Sequence, residues 1–170
     1  MQIKYFVATC GLVASAALAA PASAEDGKAY TGSACQPMSF RPTAPSGLAI
    51  GGVTISNFST SNFESVACPV SKDLEAGRIK RAEVMVIDRS PVANHDISCT
   101  LATHRKDGSQ LQTVTQKSSS SFQNALALTF GAQAAAVQGS YSLICTLPPM
   151  ATVAGGPAPS TIVMYNVVEE

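Results

Sequence analysis

Two cysteines fall on the apolar phase of alternating runs, and this constrains the fold more than any other feature of the chain. Cys99 lies in Ile97-Ser98-Cys99-Thr100-Leu101, where Ile97, Cys99 and Leu101 share one face of an extended segment. Cys145 lies in Tyr141-Ser142-Leu143-Ile144-Cys145-Thr146-Leu147, in phase with Tyr141, Leu143 and Leu147. Both sulfurs are expected to point inward from strands. Four cysteines allow three connectivities, and strand phase favours Cys99–Cys145, which leaves Cys35 to pair with Cys68.

The fifth cysteine, Cys10, belongs to a different kind of segment. Residues 1–24 open with one positive charge at Lys4 and continue as an apolar run from Tyr5 to Ala20. Pro21 breaks the run, and Ala22-Ser23-Ala24 supplies the small-x-small pattern of a signal-peptidase site. The run is shorter than the roughly 20 residues that cross a bilayer. Lipid attachment at Cys10 would leave most of the apolar run on the wrong side of the cysteine. Residues 1–24 therefore read as a signal peptide cleaved after Ala24, and residues 25–170 as a single domain without a transmembrane segment. Export places the remaining four cysteines in an oxidising compartment, periplasmic or extracellular, where two disulfides are expected. No pair has C-x-x-C spacing or any zinc pattern.

Lys4 is the only charged residue of the signal segment, so residues 25–170 carry 10 Lys plus Arg against 11 Asp plus Glu. Such a balance offers no basic field for nucleic acid. From Gly51 onward, short β-branched and apolar runs alternate with turn residues. Strands are expected at 53–58, 63–70, 78–88, 97–104, 111–117, 125–130, 141–147 and 161–168. The 78–88 run is apolar on both faces and belongs in the middle of a sheet. Lys106-Asp107-Gly108-Ser109 reads as a hairpin turn joining 97–104 to 111–117. Residues 148–160 read as an exposed connection, and 24–45 as a weakly patterned segment anchored through Cys35. About 7–9 strands and no long helix indicate an all-β, antiparallel β-sandwich, of jelly-roll or Greek-key type. The chain has no Trp to pack on an immunoglobulin-type bridge.

Chemistry-bearing residues are few. Asn94-His95-Asp96 could supply an oriented base, but no nucleophile motif such as G-x-S-x-G is present to use it. His95, Asp96 and His104 together could form a two-His, one-carboxylate metal site. The bland readings are a loop histidine for His95 and a strand-end histidine for His104. Asp73 and Glu75 lie in a loop of mixed charge, and Glu169 with Glu170 reads as a frayed acidic end. Tyr141 and Tyr165 fall on core phases, which leaves Tyr30 as an exposed aromatic platform for a sugar. Asn57-Phe58-Ser59 matches the N-glycosylation pattern and is expected to be unused. No catalytic, cofactor or metal residue is assigned; the site residues named are the disulfide set Cys35, Cys68, Cys99 and Cys145.

Several segments occur in a familiar order: Cys68-Pro69-Val70 with Lys72-Asp73, Val86-Ile87-Asp88-Arg89-Ser90, Ser98-Cys99-Thr100-Leu101, Tyr141 to Pro149, and Tyr165-Asn166-Val167-Val168-Glu169. Over 53–169 the set resembles a group of uncharacterised small exported proteins of Gram-negative bacteria. The resemblance implies fold and compartment, and no activity. Chaperone–usher pilins fit less well, because Glu169 stands where their penultimate aromatic falls. The expectation is an exported, non-enzymatic β-sandwich that binds a partner or forms part of the envelope, the partner being an envelope protein or a glycan. The alternatives are a small metal-dependent or hydrolytic enzyme using His95, Asp96 and His104, and a carbohydrate-binding module using Tyr30.

Overall fold

The computed structural model describes residues 25–38, 47–73, 77–119 and 124–170. The signal segment with Cys10, and Glu75, lie outside the described residues. Thirteen strands appear among the described residues. They are β1 (Asp26–Thr31), β2 (Gln36–Pro37), β3 (Leu48–Gly51), β4 (Thr54–Asn57), β5 (Glu64–Cys68), β6 (Ile79–Ile87), β7 (Ser98–His104), β8 (Gln110–Lys117), β9 (Leu126–Phe130), β10 (Ser140–Leu147), β11 (Ala151–Val153), β12 (Gly156–Ala158) and β13 (Ser160–Glu169). All pairings are antiparallel. One sheet runs β3-β4-β13-β6-β9 and the other β2-β5-β10-β7-β8, with β11-β12 as a separate hairpin. The chain is an all-β sandwich stapled by Cys35–Cys68 and Cys99–Cys145, the pairing that strand phase favours.

The two sheets close over one apolar core. Val66, Cys99, Leu101, Leu143 and Cys145 face it from one layer, and Ile55, Val84, Val86, Leu128, Phe130, Ile162, Tyr165 and Val167 from the other. β6 is central, as its two apolar faces require, with β13 on one side and β9 on the other. The 97–104 and 111–117 runs form the expected hairpin, β7 with β8, and Gly108 supplies its φ of 81°.

Strands exceed the expected 7–9, and the surplus has a physical cause. β2, β3, β11 and β12 are two to four residues long, too short for alternation to show. Residues 148–160, expected as an open connection, contain the β11-β12 hairpin. β1 is the larger correction, because its segment carries almost no apolar signal. Its inward positions are Asp26, Lys28 and Tyr30, held by ion pairs and ring stacking instead of aliphatic burial.

β13 organises its sheet. Ser160–Ile162 pair with β4 and Met164–Glu169 with β1, so two strands share one edge end to end. A bulge between Ile162 and Met164 separates the halves. It moves the inward phase from Ile162 to Tyr165 and Val167, one residue out of step with simple alternation. Gly32, just after β1, lets the chain pass against β13 on its way to the other sheet. A Cβ there would lie 2.1 Å from the Ile162 carbonyl oxygen.

Candidate functional site

The loops 58–63, 88–97 and 148–150 gather at the sandwich end where β4, β6 and β10 finish. Asn57, wholly buried, is the hub of the first. Its Nδ2 donates to the carbonyls of Asn62 (2.9 Å), Leu147 (3.1 Å) and Pro148 (2.9 Å), while its Oδ1 accepts the Ser59 N–H at 2.9 Å. The amide nitrogen of the glycosylation pattern is thus buried and committed to three acceptors. Ser59 Oγ accepts the Asn62 N–H, and Ser59 O accepts the Met150 N–H. The loop is pinned from beneath and from both flanks.

Asp88 does the same for the second loop. It continues the inward phase of β6 and is 1% exposed, so its carboxylate needs internal donors. Oδ1 accepts the Ser90 N–H at 3.0 Å and the Ser160 hydroxyl at 3.2 Å. Oδ2 accepts the Ile97 N–H at 3.2 Å and the Ser118 hydroxyl. One side chain thereby joins the ends of β6, β7, β8 and β13.

Above these hubs stand apolar side chains in water. Phe58 and Phe63 are each 48% exposed and Val92 is 47% exposed. The Phe63 ring meets His95 edge to face at 5.1 Å, which joins the two loops into one surface. Apolar groups on loops held this firmly define a candidate binding face.

His95, Asp96 and His104 do not come together. His95 and Asp96 precede β7 and His104 ends it, which separates them by roughly 20 Å at the rise of a strand. The three-residue site is overturned, and no group of three metal-ligating side chains exists among the described residues. His104 instead meets Ser142 of β10, Nε2 to Oγ at 2.8 Å. Ser142 escaped sequence reasoning because the contact depends on the pairing of β7 with β10. Among the described residues, no hydrogen bond reaches Nδ1 of this imidazole.

Glu169 is not a frayed end. It closes β13 with a 1% exposed side chain, and its Oε2 accepts the Asp73 N–H at 3.1 Å. Lys28 reaches Asp73 at 2.9 Å, Glu169 at 3.4 Å and Asp26 at 3.6 Å. Burial alone would lower the Lys28 pKa, yet Asp73 and Glu169 together hold it above its ordinary value. Tyr30 is not a free platform either. Its ring stacks on Tyr165, centroids 4.8 Å apart, so one face is covered. Tyr165 and Tyr141 are buried, as their phase requires.

No helix among the described residues is long and apolar enough to cross a membrane. No protein-family model matches the chain, and no curated protein matches it. Among solved structures, the chain is similar to an arabinose-bound GH51 α-L-arabinofuranosidase at 14% identity and a TM-score of 0.40, covering 79% of this chain and 23% of the enzyme. It is also similar to the CsCBM6-3 module of Clostridium stercorarium in complex with cellobiose, at 15% identity and a TM-score of 0.34, covering 81% of this chain and 83% of that one. These values assign no activity.

Proposed function

We propose that this chain is an exported, non-enzymatic binding protein of the cell envelope or surface, and that the 58–63 and 88–97 loops contact its partner. The observation that carries the reading is the pairing of half-exposed Phe58 and Phe63 with the buried Asn57 and Asp88 hubs that hold their loops. Preorganised loops lose little freedom on association, and aromatic side chains are enriched at interfaces. Phe58, Phe63 and Val92 present no polar tip for sugar hydroxyls, which favours an envelope protein over a glycan. The two disulfides suit an oxidising compartment, periplasmic or extracellular.

Site-specific photo-crosslinking from position 63 in exporting cells tests this. The expected result is one envelope-protein adduct that a Phe58→Ser substitution weakens and a Leu111→Ser substitution leaves intact. Crosslinks to polysaccharide alone would replace the protein partner with a glycan. Turnover in an esterase, glycosidase and protease panel, lost in a His104→Ala variant, would overturn the non-enzymatic reading.

A further inference from the structure

At the end of the sandwich away from those loops, the β7-β8 turn and the 131–139 connection border a broad, open depression of about 670 Å³. Arg105, Lys106 and Asp107 line it from the turn, Leu111 from β8, and Ala135, Ala136 and Val137 from the connection.

The connection is held in place by its neighbours. The Gln133 N–H donates to Ile79 O at 2.8 Å, and the Ala134 N–H to Gln112 Oε1 at 2.6 Å. The Tyr141 hydroxyl donates to Ala134 O at 3.2 Å, and the Lys72 ammonium to Ala136 O. Gln138 takes a φ of 54°, in the left-handed region that non-glycine residues rarely adopt, and its side chain accepts Lys106 Nζ at 3.1 Å. On this braced segment Val137 remains 63% exposed, near Leu111 at 37%.

The charges are unequal in availability. The Asp107 carboxylate folds back into its own turn, accepting the Ser109 N–H at 2.9 Å and hydroxyl at 2.7 Å. Neither Arg105 nor Lys106 has a carboxylate within ion-pair distance among the described residues. Arg105 and Lys106 therefore border the apolar strip, with the one neighbouring carboxylate, Asp107, turned into its own loop.

We infer that this depression binds a small anionic amphiphile, a carboxylate bearing an apolar chain, with its head at Arg105 and Lys106 and its tail along Leu111 and Val137. Head and tail are both required: each exposed cation contributes little alone, and the apolar strip is small. The site is separate from the loop face and does not depend on it.

Titration of the isotope-labelled folded protein with octanoate, acetate and 1-octanol, followed by amide shifts, tests the assignment. Octanoate is expected to shift Leu111, Ala135 and Val137, with acetate and octanol at least about tenfold weaker. Arg105→Gln with Lys106→Gln should weaken octanoate about fivefold or more and abolish its salt dependence. Val137→Ser should weaken it while leaving the salt dependence in place, and Phe63→Ser should change nothing. Octanol binding as tightly as octanoate, shifts confined to other surfaces, or an unchanged affinity in the double variant would overturn the proposal.

Discussion

Cys99 and Cys145 stand directly opposite each other on β7 and β10, with Cα atoms 4.0 Å apart. The bridge joins neighbours within one sheet instead of tying the two layers together. Cys35 and Cys68 follow the same rule, since Gln36 pairs with Ala67 one step further along. Each staple links strands far apart in sequence, by 46 and 33 residues. Replacing Cys99 and Cys145 by Ala should lower the unfolding free energy by about 2–5 kcal/mol, read from urea melts. Replacing Cys35 and Cys68 should also expose residues 32–37 to limited proteolysis, because β2 contributes only two paired residues to hold them.

Asp88→Ala should cost about 3–5 kcal/mol, since two buried N–H groups and two hydroxyls lose a charged acceptor together. Asp88→Asn should recover part of that loss, but its NH₂ must face donors already present. Chemical denaturation of both variants gives the ordering. Equal stability of Asp88→Ala and the parent would refute the hub.

Asn57→Asp should be more damaging than Asn57→Ala at neutral pH, because a carboxylate would face three carbonyl oxygens at the position of the amide nitrogen or force the side chain to turn. Either change should raise hydrogen exchange at Ser59, Asn62 and Met150. Retained protection at those amides would show that the loop holds its shape without the hub.

Alkaline pH should unfold the protein through Tyr165 and Lys28. Burial, with a smaller contribution from Tyr30, pushes the Tyr165 pKa up, and its hydroxyl donates to Pro69 O at 2.8 Å. Lys28 is also raised in the folded state. Both groups keep their protons when folded and release them sooner when unfolded. Their stabilisation is therefore complete below about pH 10 and is lost as pH rises towards the folded values. Melting temperature should fall above about pH 10, and less steeply in Tyr165→Phe, which has no phenol to ionise.

Gly32→Ala should destabilise the protein by about 1–3 kcal/mol through the clash with Ile162 O. The change should appear first as exchange of β1 amides, with β7 and β10 unaffected.

Strand phase carried much of the fold. Cys99 with Leu101, and Cys145 with Leu143, place the staple without any knowledge of topology. The two-sided apolarity of Val84, Met85, Val86 and Ile87 places β6 in the middle of its sheet. Phase failed where side chains are held by means other than aliphatic burial. Lys28 and Tyr30 conceal β1, and the bulge near Val163 interrupts the alternation of β13. The candidate loop face was not legible, because Asn57 and Asp88 look like turn residues until their distant partners are in place. Asn57 reaches Leu147 and Asp88 reaches Ser160, contacts that only the closed sandwich creates.

The shared edge of β13 also sets a timetable. β1 finds its strand partner only at Met164 to Glu169, and the β3-β4 hairpin joins the rest of its sheet only at Ser160 to Ile162. A chain made from its N-terminus therefore holds β1 unmated and the β3-β4 hairpin undocked until the last segment emerges. Contacts spanning so much sequence form slowly. The sheet therefore locks only once the C-terminal strand is in place, and the first strand of the chain is among the last to be seated.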